Sequence, residues 1–502
     1  QPPIHHTHAR THTHTHARTT HTTSHPAPSH VTDDGPAHDP NLRPPAHLQL
    51  QPASVVLVAI SATLLFLAAI NRIRQFSSGS KVDPADAGPT SPGPETKGPS
   101  PSITKHAVDR ERVLAKFARL YLPAYLCGVF ADWMLGPYVY AVYASYGYTM
   151  AEIGTLYVVG FVSSLSFGTM MGPLADRYGR RAAALLFCGI YLLSCMCKNV
   201  GAFSVLVVGR ILGGIGTSLL YTAFESWAVF SLDEAGMTEE DRSQLFALAT
   251  FGNAMSAVIA GIITYPLNEM YGPVAPFNAA AIPLFVCAAW ILWGWTENYG
   301  SRQRTMGSSL ASGLGAIFQD RRIFVVGLIS SFFEAVLYVF VFIWTPSLQL
   351  RAGTAEVPLG LVFACYMLSK MCGTYVFEHL AAVARVETVL TLVLMTSAIS
   401  FAWPIWRVGF QETLVAHCLF EFSVGMYWPA ISTLRSNCIG EELRSTTMSL
   451  FRVPLNIFVI VCLSGIEALS DVQVYRSCSI AMVFVAICHT LLIDGRRGDR
   501  MR

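Results

Sequence analysis

Seven ionisable residues stand inside long apolar stretches of this sequence: Asp132, Arg210, Glu225, Glu334, Lys370, Glu421 and Arg452. A charged side chain in the middle of a membrane-length helix costs about 2.5–3.5 kcal/mol on insertion scales, so seven unpaired ones would cost roughly 20 kcal/mol. They must face one another or a wet cavity. Residues spaced i, i+4, i+7 and i+11 share one helix face. Glu334 then aligns with Tyr338 and Thr345, and Glu421 with Gly425, Trp428 and Ser432. Arg452 aligns with Asn456, Lys370 with Tyr366 and Thr374, and Glu225 with Tyr221 and Ser218. Each charge shares its face with hydrogen-bonding or aromatic groups, which suits a polar cavity between helices. Arginine can grip an oxyanion through two donors and lysine attracts it as a point charge. The competing reading is structural pairing of acids with bases; it weighs equally for Glu225 and Arg452, and less for Asp132, Arg210, Glu334 and Lys370. Binding and charge coupling are the chemistry these types offer. Gly213-Gly214-Ile215-Gly216 lacks a phosphate-loop lysine, His379, His417 and His489 are scattered, and no cofactor, metal site or catalytic set is expected.

The elements that must position these residues follow from composition. Of 502 residues 52% are hydrophobic and 13% charged, about half the charged fraction of a soluble protein. From residue 118 onward twelve apolar blocks appear, at 118–140, 152–173, 182–199, 203–229, 244–266, 276–295, 323–346, 357–378, 387–404, 411–432, 446–469 and 475–493. Their length is that of a bilayer-crossing helix, and lipid leaves backbone groups no partner outside a helix or a closed barrel. The twelve cysteines fall almost entirely within the blocks as small core residues. A net charge of +2 without a basic stripe excludes nucleic acid as a partner.

The expected organisation is a His/Thr-rich tail at 1–50, an N-terminal transmembrane anchor at 51–74, a flexible linker at 75–117, a six-helix half at 118–295, an inter-half linker at 296–322, a second six-helix half at 323–493 and a tail at 494–502. The tail's alternating Thr-His run matches a translated dinucleotide repeat and carries no weight. Most of the 34 Lys and Arg residues, Arg435 among them, fall on the side of the 296–322 linker. By the positive-inside bias that side is cytoplasmic, with both core termini there. Lys198, Arg351, Arg407 and Arg476 fall in the opposite short loops. Trp344-Thr345-Pro346 is expected to end or kink its helix, and Pro429 and Pro454 to bend theirs.

After the second block the sequence reads Gly172-Pro-Leu-Ala-Asp176-Arg177-Tyr-Gly179-Arg180-Arg181. This resembles the G-x-x-x-D-R-x-G-R-R loop of the major facilitator superfamily. Glycine permits the tight turn, while Asp176 is expected to accept from helix-end N–H groups and pair with an arginine, as a latch closing one face. Arg210-Ile-Leu-Gly213-Gly-Ile-Gly216 resembles the superfamily's R-x-x-x-G-x-G element. The corresponding loop of the second half, 378–385, lacks the glycines and paired arginines. Finer likeness runs through Ala131-Asp132-Trp133, Phe224-Glu225-Ser226-Trp227, Asp320-Arg321-Arg322, Phe333-Glu334, Gly425-Met-Tyr-Trp-Pro429 and Phe451-Arg452-Val-Pro-Leu455. Over residues 107–493 the chain is similar to the molybdate-anion transporter family of that superfamily.

The resemblance implies an all-α polytopic membrane protein of major facilitator fold, importing the tetrahedral molybdate dianion by alternating access, with the plasma membrane as the expected location. Charge alone does not separate molybdate from sulfate, phosphate or an organic anion. Among the seven buried charges three cations face four acids, so a dianion meets a net negative cavity unless an acid is protonated. Proton symport through Glu334 or Asp132 follows as the expectation. Two alternatives stay open: a proton-coupled exporter of organic ions using Asp132, Glu334 and Glu421, and a transporter-like sensor without turnover.

Overall fold

The computed structural model describes residues 101–300, 315, 317–439 and 441–500, all within the unit His47–Arg502. The histidine tail, the 51–74 anchor and residues 75–100 of the expected linker lie outside them. Among the described residues there is helix and no strand. The first half comprises α1 (Pro101–Leu135), α2 (Val139–Ser145), α3 (Met150–Tyr178), α4 (Arg180–Met196), α5 (Phe203–Glu234), α6 (Glu239–Tyr271), α7 (Ala275–Ala279) and α8 (Ala281–Gly294). The second comprises α9 (Arg321–Ala352), α10 (Leu359–Val383), α11 (Val386–Trp406), α12 (Phe410–Cys438), α13 (Glu441–Ser464) and α14 (Asp471–Arg500). Residues 101–117, expected in the linker, are the first turns of α1.

Local sequence explains the ends. Thr149 opens α3 with a capping box: its hydroxyl accepts from the Glu152 N–H and the Glu152 carboxylate accepts from the Thr149 N–H at 2.8 Å. Thr238 and Asp241 do the same for α6, so two orphan donors are satisfied at each start. Pro346 does not end α9, which continues through it to Ala352. Neighbouring helices can supply partners for the carbonyl that a proline frees.

Among the described residues eleven helices are long and apolar enough to cross a membrane. The twelfth expected span, α13, has an apolar stretch of only Leu450–Ser464, because charged residues occupy its first turns. Large apolar side chains such as Ile282, Phe285 and Trp293 on α8 point outward, as lipid contact requires. In the first half α1 packs on α6 and α8, α5 on α3 and α4, and α4 on α8. The second half repeats each pairing: α9 on α13 and α14, α12 on α10 and α11, and α11 on α14. An internal repeat thus exists at the level of packing, and the halves meet along two seams, α3 with α13 and α6 with α10.

The seams close at the end of the bundle that carries the α1–α3 and α13–α14 connections. A Cβ on Gly154 would lie 3.2 Å from the Leu463 carbonyl, and the Ala151 N–H donates to Glu467 at 2.8 Å. Gly261 and Gly360 approach so closely that a Cβ on Gly261 would sit 2.6 Å from the Gly360 carbonyl. Small residues allow such backbone contact. Below these contacts two ring pairs continue the closure: Tyr157 edge-to-face with Phe342 (5.2 Å between centroids) and Phe161 tilted against Tyr338 (4.6 Å).

Candidate functional site

Beneath the Phe161–Tyr338 pair lies a cavity of about 210 Å³ lined by residues of α3, α9, α12 and α13. Its charged wall is Glu334, Arg435 and Arg452. Arg435 Nη2 pairs with Glu334 Oε1 at 2.6 Å, and its Nε donates to Ser330 Oγ at 3.3 Å. Tyr427 OH donates to the same Glu334 oxygen at 3.3 Å and stacks on Phe333 at 3.8 Å. Arg452 is exposed and makes no ion pair among the described residues; its Nη1 lies 3.9 Å from where a Cβ on Gly168 of α3 would stand. The α13 guanidinium therefore reaches across to the first half. Asn456, one turn on, donates to the Arg452 carbonyl at 2.6 Å and also lines the cavity. Two guanidiniums against one carboxylate give the wall a formal charge of +1.

Arg435 is the site residue that the sequence reading does not single out. It lies past the apolar block 411–432 and counts there only among the cytoplasmic-side charges, while α12 runs on to Cys438 and carries it to the cavity wall. The signal was available: Glu421, Trp428 and Arg435 recur every seven residues, which keeps them on one face. Trp428 indeed lines the same cavity.

The seven charges within the helices do not share one cavity, which corrects the expectation of a net negative site. Asp132 lies in the first half, accepting a hydrogen bond from Tyr191 OH. Arg210 donates to the Leu156 carbonyl at 3.0 Å and sits over the Tyr157 ring. Glu225 is exposed and in electrostatic range of Tyr125, which itself accepts from Asn253. Asn253 accepts in turn from Trp133 Nε1 at 2.6 Å. Glu421 is buried in the second half, and Lys370 holds its ammonium 6.0 Å from the Trp133 ring across the interface. The loop cations expected on the opposite side are also more enclosed: Lys198 is buried, and Arg351 pairs with Asp471.

The motif loop is built differently from expectation. Asp176 pairs with Arg180 at 2.6 Å, but the free N–H groups opening α4 go to Glu297, whose carboxylate accepts from Arg181 at 2.8 Å and Ala182 at 3.1 Å. Gly179, at φ +108°, makes the turn, and a Cβ there would strike Glu297. The Asp176 carbonyl accepts from Gly300 N–H, and Arg180 N–H donates to the Asn298 carbonyl. Gly172 faces open space and Arg177 lies over the Tyr178 ring. These contacts pin the loop to the segment following α8, within one half.

Among the described residues, twelve long helices in two halves repeating one packing pattern around a central polar cavity define a transporter of the major facilitator class. The sequence profile of the family described as sugar transporters with twelve transmembrane helices matches residues 102–416. Solved structures agree on the fold: the nucleoside transporter NupG superposes with a TM-score of 0.63 at 12% identity, covering 75% of this chain and 99% of NupG. The peptide transporter PepTSo gives 0.62 at 10% identity, covering 77% and 98%. The molybdate-anion transporter of Takifugu rubripes is 34% identical over 393 residues, 70% of this chain and 79% of its own. That of Xenopus tropicalis is 32% identical over 408 residues, 76% and 86%. The chain belongs to the molybdate-anion transporter family and is a multi-pass membrane protein.

Proposed function

We propose that this protein imports molybdate by alternating access, with Arg435 and Arg452 as the oxyanion ligands. The observation that carries the reading is the +1 cavity between the halves, whose two guanidiniums come from α12 and α13 while α3 of the other half forms the opposite wall. Guanidiniums match a tetrahedral oxyanion by paired donors. Arg435 is already ion-paired and therefore held in place; Arg452, without an ion pair, is free to follow the anion. With the motif loop on the cytoplasmic side, the closed seams at Gly154–Leu463 and Gly261–Gly360 seal the outer face. Reopening that face requires the Phe161–Tyr338 and Tyr157–Phe342 contacts to part as the halves rock about the cavity. Proton coupling belongs to this reading, the plasma membrane is its site, and no catalytic step is part of it.

Uptake by the purified chain in proteoliposomes tests it. Molybdate uptake should be competed by sulfate, untouched by a neutral hexose and lost in Arg452→Gln. Carriage of a sugar or an organic cation, indifferent to Arg452→Gln, would overturn the anion assignment; bound molybdate without net flux would leave a sensor.

A further inference from the structure

The carboxylate in the cavity wall is held by one oxygen only. Glu334 Oε1 accepts from Arg435 Nη2 at 2.6 Å and from Tyr427 OH at 3.3 Å. Tyr427 is fixed in turn by its stack on Phe333, so both donors that orient the carboxylate come from α12. Oε2 accepts no hydrogen bond among the described residues, and it is not one of the buried atoms left without a partner, as Glu421 Oε2 is. The 15% of the Glu334 side chain that stays accessible therefore includes this oxygen, on a residue that lines the cavity. A pair that served only to tie α9 to α12 would engage both carboxylate oxygens with the guanidinium fork. Here the donors converge on one oxygen and leave the other open.

The rest of the wall completes a mixed set of donors and acceptors. Arg435 uses Nη2 and Nε on Glu334 and Ser330, which leaves Nη1 for a ligand. Asn456 donates its amide N–H to the Arg452 carbonyl, so its Oδ1 is a second open acceptor. The titratable groups around Glu334 are Arg435 and Tyr427 of α12, Arg452 of α13 and Tyr338 one turn along α9. The α3 wall has none, and α2 and α14, which also pack on α9, put no residue into the cavity. An oxyanion stripped of all its protons has only acceptors. It satisfies the two guanidiniums but sets a negative oxygen against Oε2. A monohydrogen oxyanion of the same charge turns its O–H to Oε2 and its bare oxygens to the arginines, replacing a repulsive contact by a charge-assisted hydrogen bond. A site that bonds a substrate hydroxyl rejects the analogue lacking it, because the site's own polar group is left unpaired.

We propose that Glu334 Oε2 selects the protonation state of the oxyanion, binding one proton between itself and an anion oxygen. The cavity then takes a tetrahedral oxyanion that retains an O–H, such as hydrogenphosphate, or a fully deprotonated one, such as molybdate, together with one proton from water. In the first case the proton arrives on the anion; in the second Oε2 gains it from solution and donates it to the anion. No bond to the central atom forms or breaks and no electrons move. The selection rests on the oxyanion reading above and names the form of anion that fits.

Displacement of labelled molybdate from the purified full chain tests it. At about pH 8 sulfate and phosphate are both mainly dianions of similar size and differ by one O–H. Phosphate should displace molybdate at a concentration about tenfold below that of sulfate. The Kd of molybdate itself should tighten by up to about tenfold per unit as pH falls from about 8 to about 6, because binding takes up one proton. Glu334→Gln can present an N–H where Oε2 stood and should erase both effects. Sulfate equal to or better than phosphate on the wild-type protein, or a molybdate Kd indifferent to pH, overturns the proposal, and neither measurement needs a variant. Folded Glu334→Gln that keeps the preference for phosphate overturns the assignment to Oε2. Wild-type protein that binds none of the three anions overturns the oxyanion reading instead.

Discussion

Replacing Glu334 by glutamine removes the carboxylate from a cavity wall that also carries Arg435 and Arg452, and so raises its formal charge from +1 to +2. The change is nearly isosteric, and an amide oxygen can still accept from Tyr427. A sphere of 210 Å³ has a radius of about 3.7 Å, which puts a centred dianion about 5 Å from charge on the wall. One unit of wall charge is then worth about 1.7 kcal/mol to a dianion at the dielectric of water and about 6.6 kcal/mol at an effective value of 20. Arg452 and Trp428 are exposed on this wall, so water screens it and the lower figure applies. It corresponds to a Kd about twentyfold tighter for molybdate in Glu334→Gln. Arg435→Gln lowers the wall charge to zero and should weaken binding by at least the same factor. The double variant returns the charge to +1 and should lie between the two. Calorimetry or scintillation proximity on purified protein measures all four affinities, and the spread should shrink at high salt. Equal weakening by Glu334→Gln and Arg435→Gln, in protein with wild-type thermal stability, would show that the pair merely ties α9 to α12 and would refute the electrostatic argument.

Arg452→Gln should weaken molybdate binding without lowering the melting temperature, because the side chain is exposed and has no ion pair; thermal scanning in detergent separates the two effects. Glu297→Ala removes two accepted N–H bonds at the start of α4 and should cost about 1–2 kcal/mol. Asp176→Asn loses a partly exposed pair and should cost under about 1 kcal/mol, so a melting series in which Asp176→Asn is the more damaging would contradict the geometry around Gly179. Gly425→Ala places a methyl against the Lys370 carbonyl of α10 and should destabilise by about 1–3 kcal/mol through overpacking, read as a lower unfolding midpoint.

Much of this protein was legible in its linear order. The apolar blocks, the motif around Asp176 and the charges inside helices depend on nearest-neighbour chemistry and on the cost of exposing backbone and charge to lipid, which any reader of the sequence can estimate. The sequence by itself determined the all-helical two-half architecture, the family and the setting of all eight cavity or coupling candidates within helices, though not their partners. Partnership is a matter of three dimensions. That Glu334 meets Arg435 across α9 and α12, and that Glu297 rather than Asp176 accepts from the N–H groups opening α4, were decided only by tertiary packing, because helix rotation and crossing set which faces meet. The charges within the helices consequently sort into separate environments, and the cavity expected to be negative is positive.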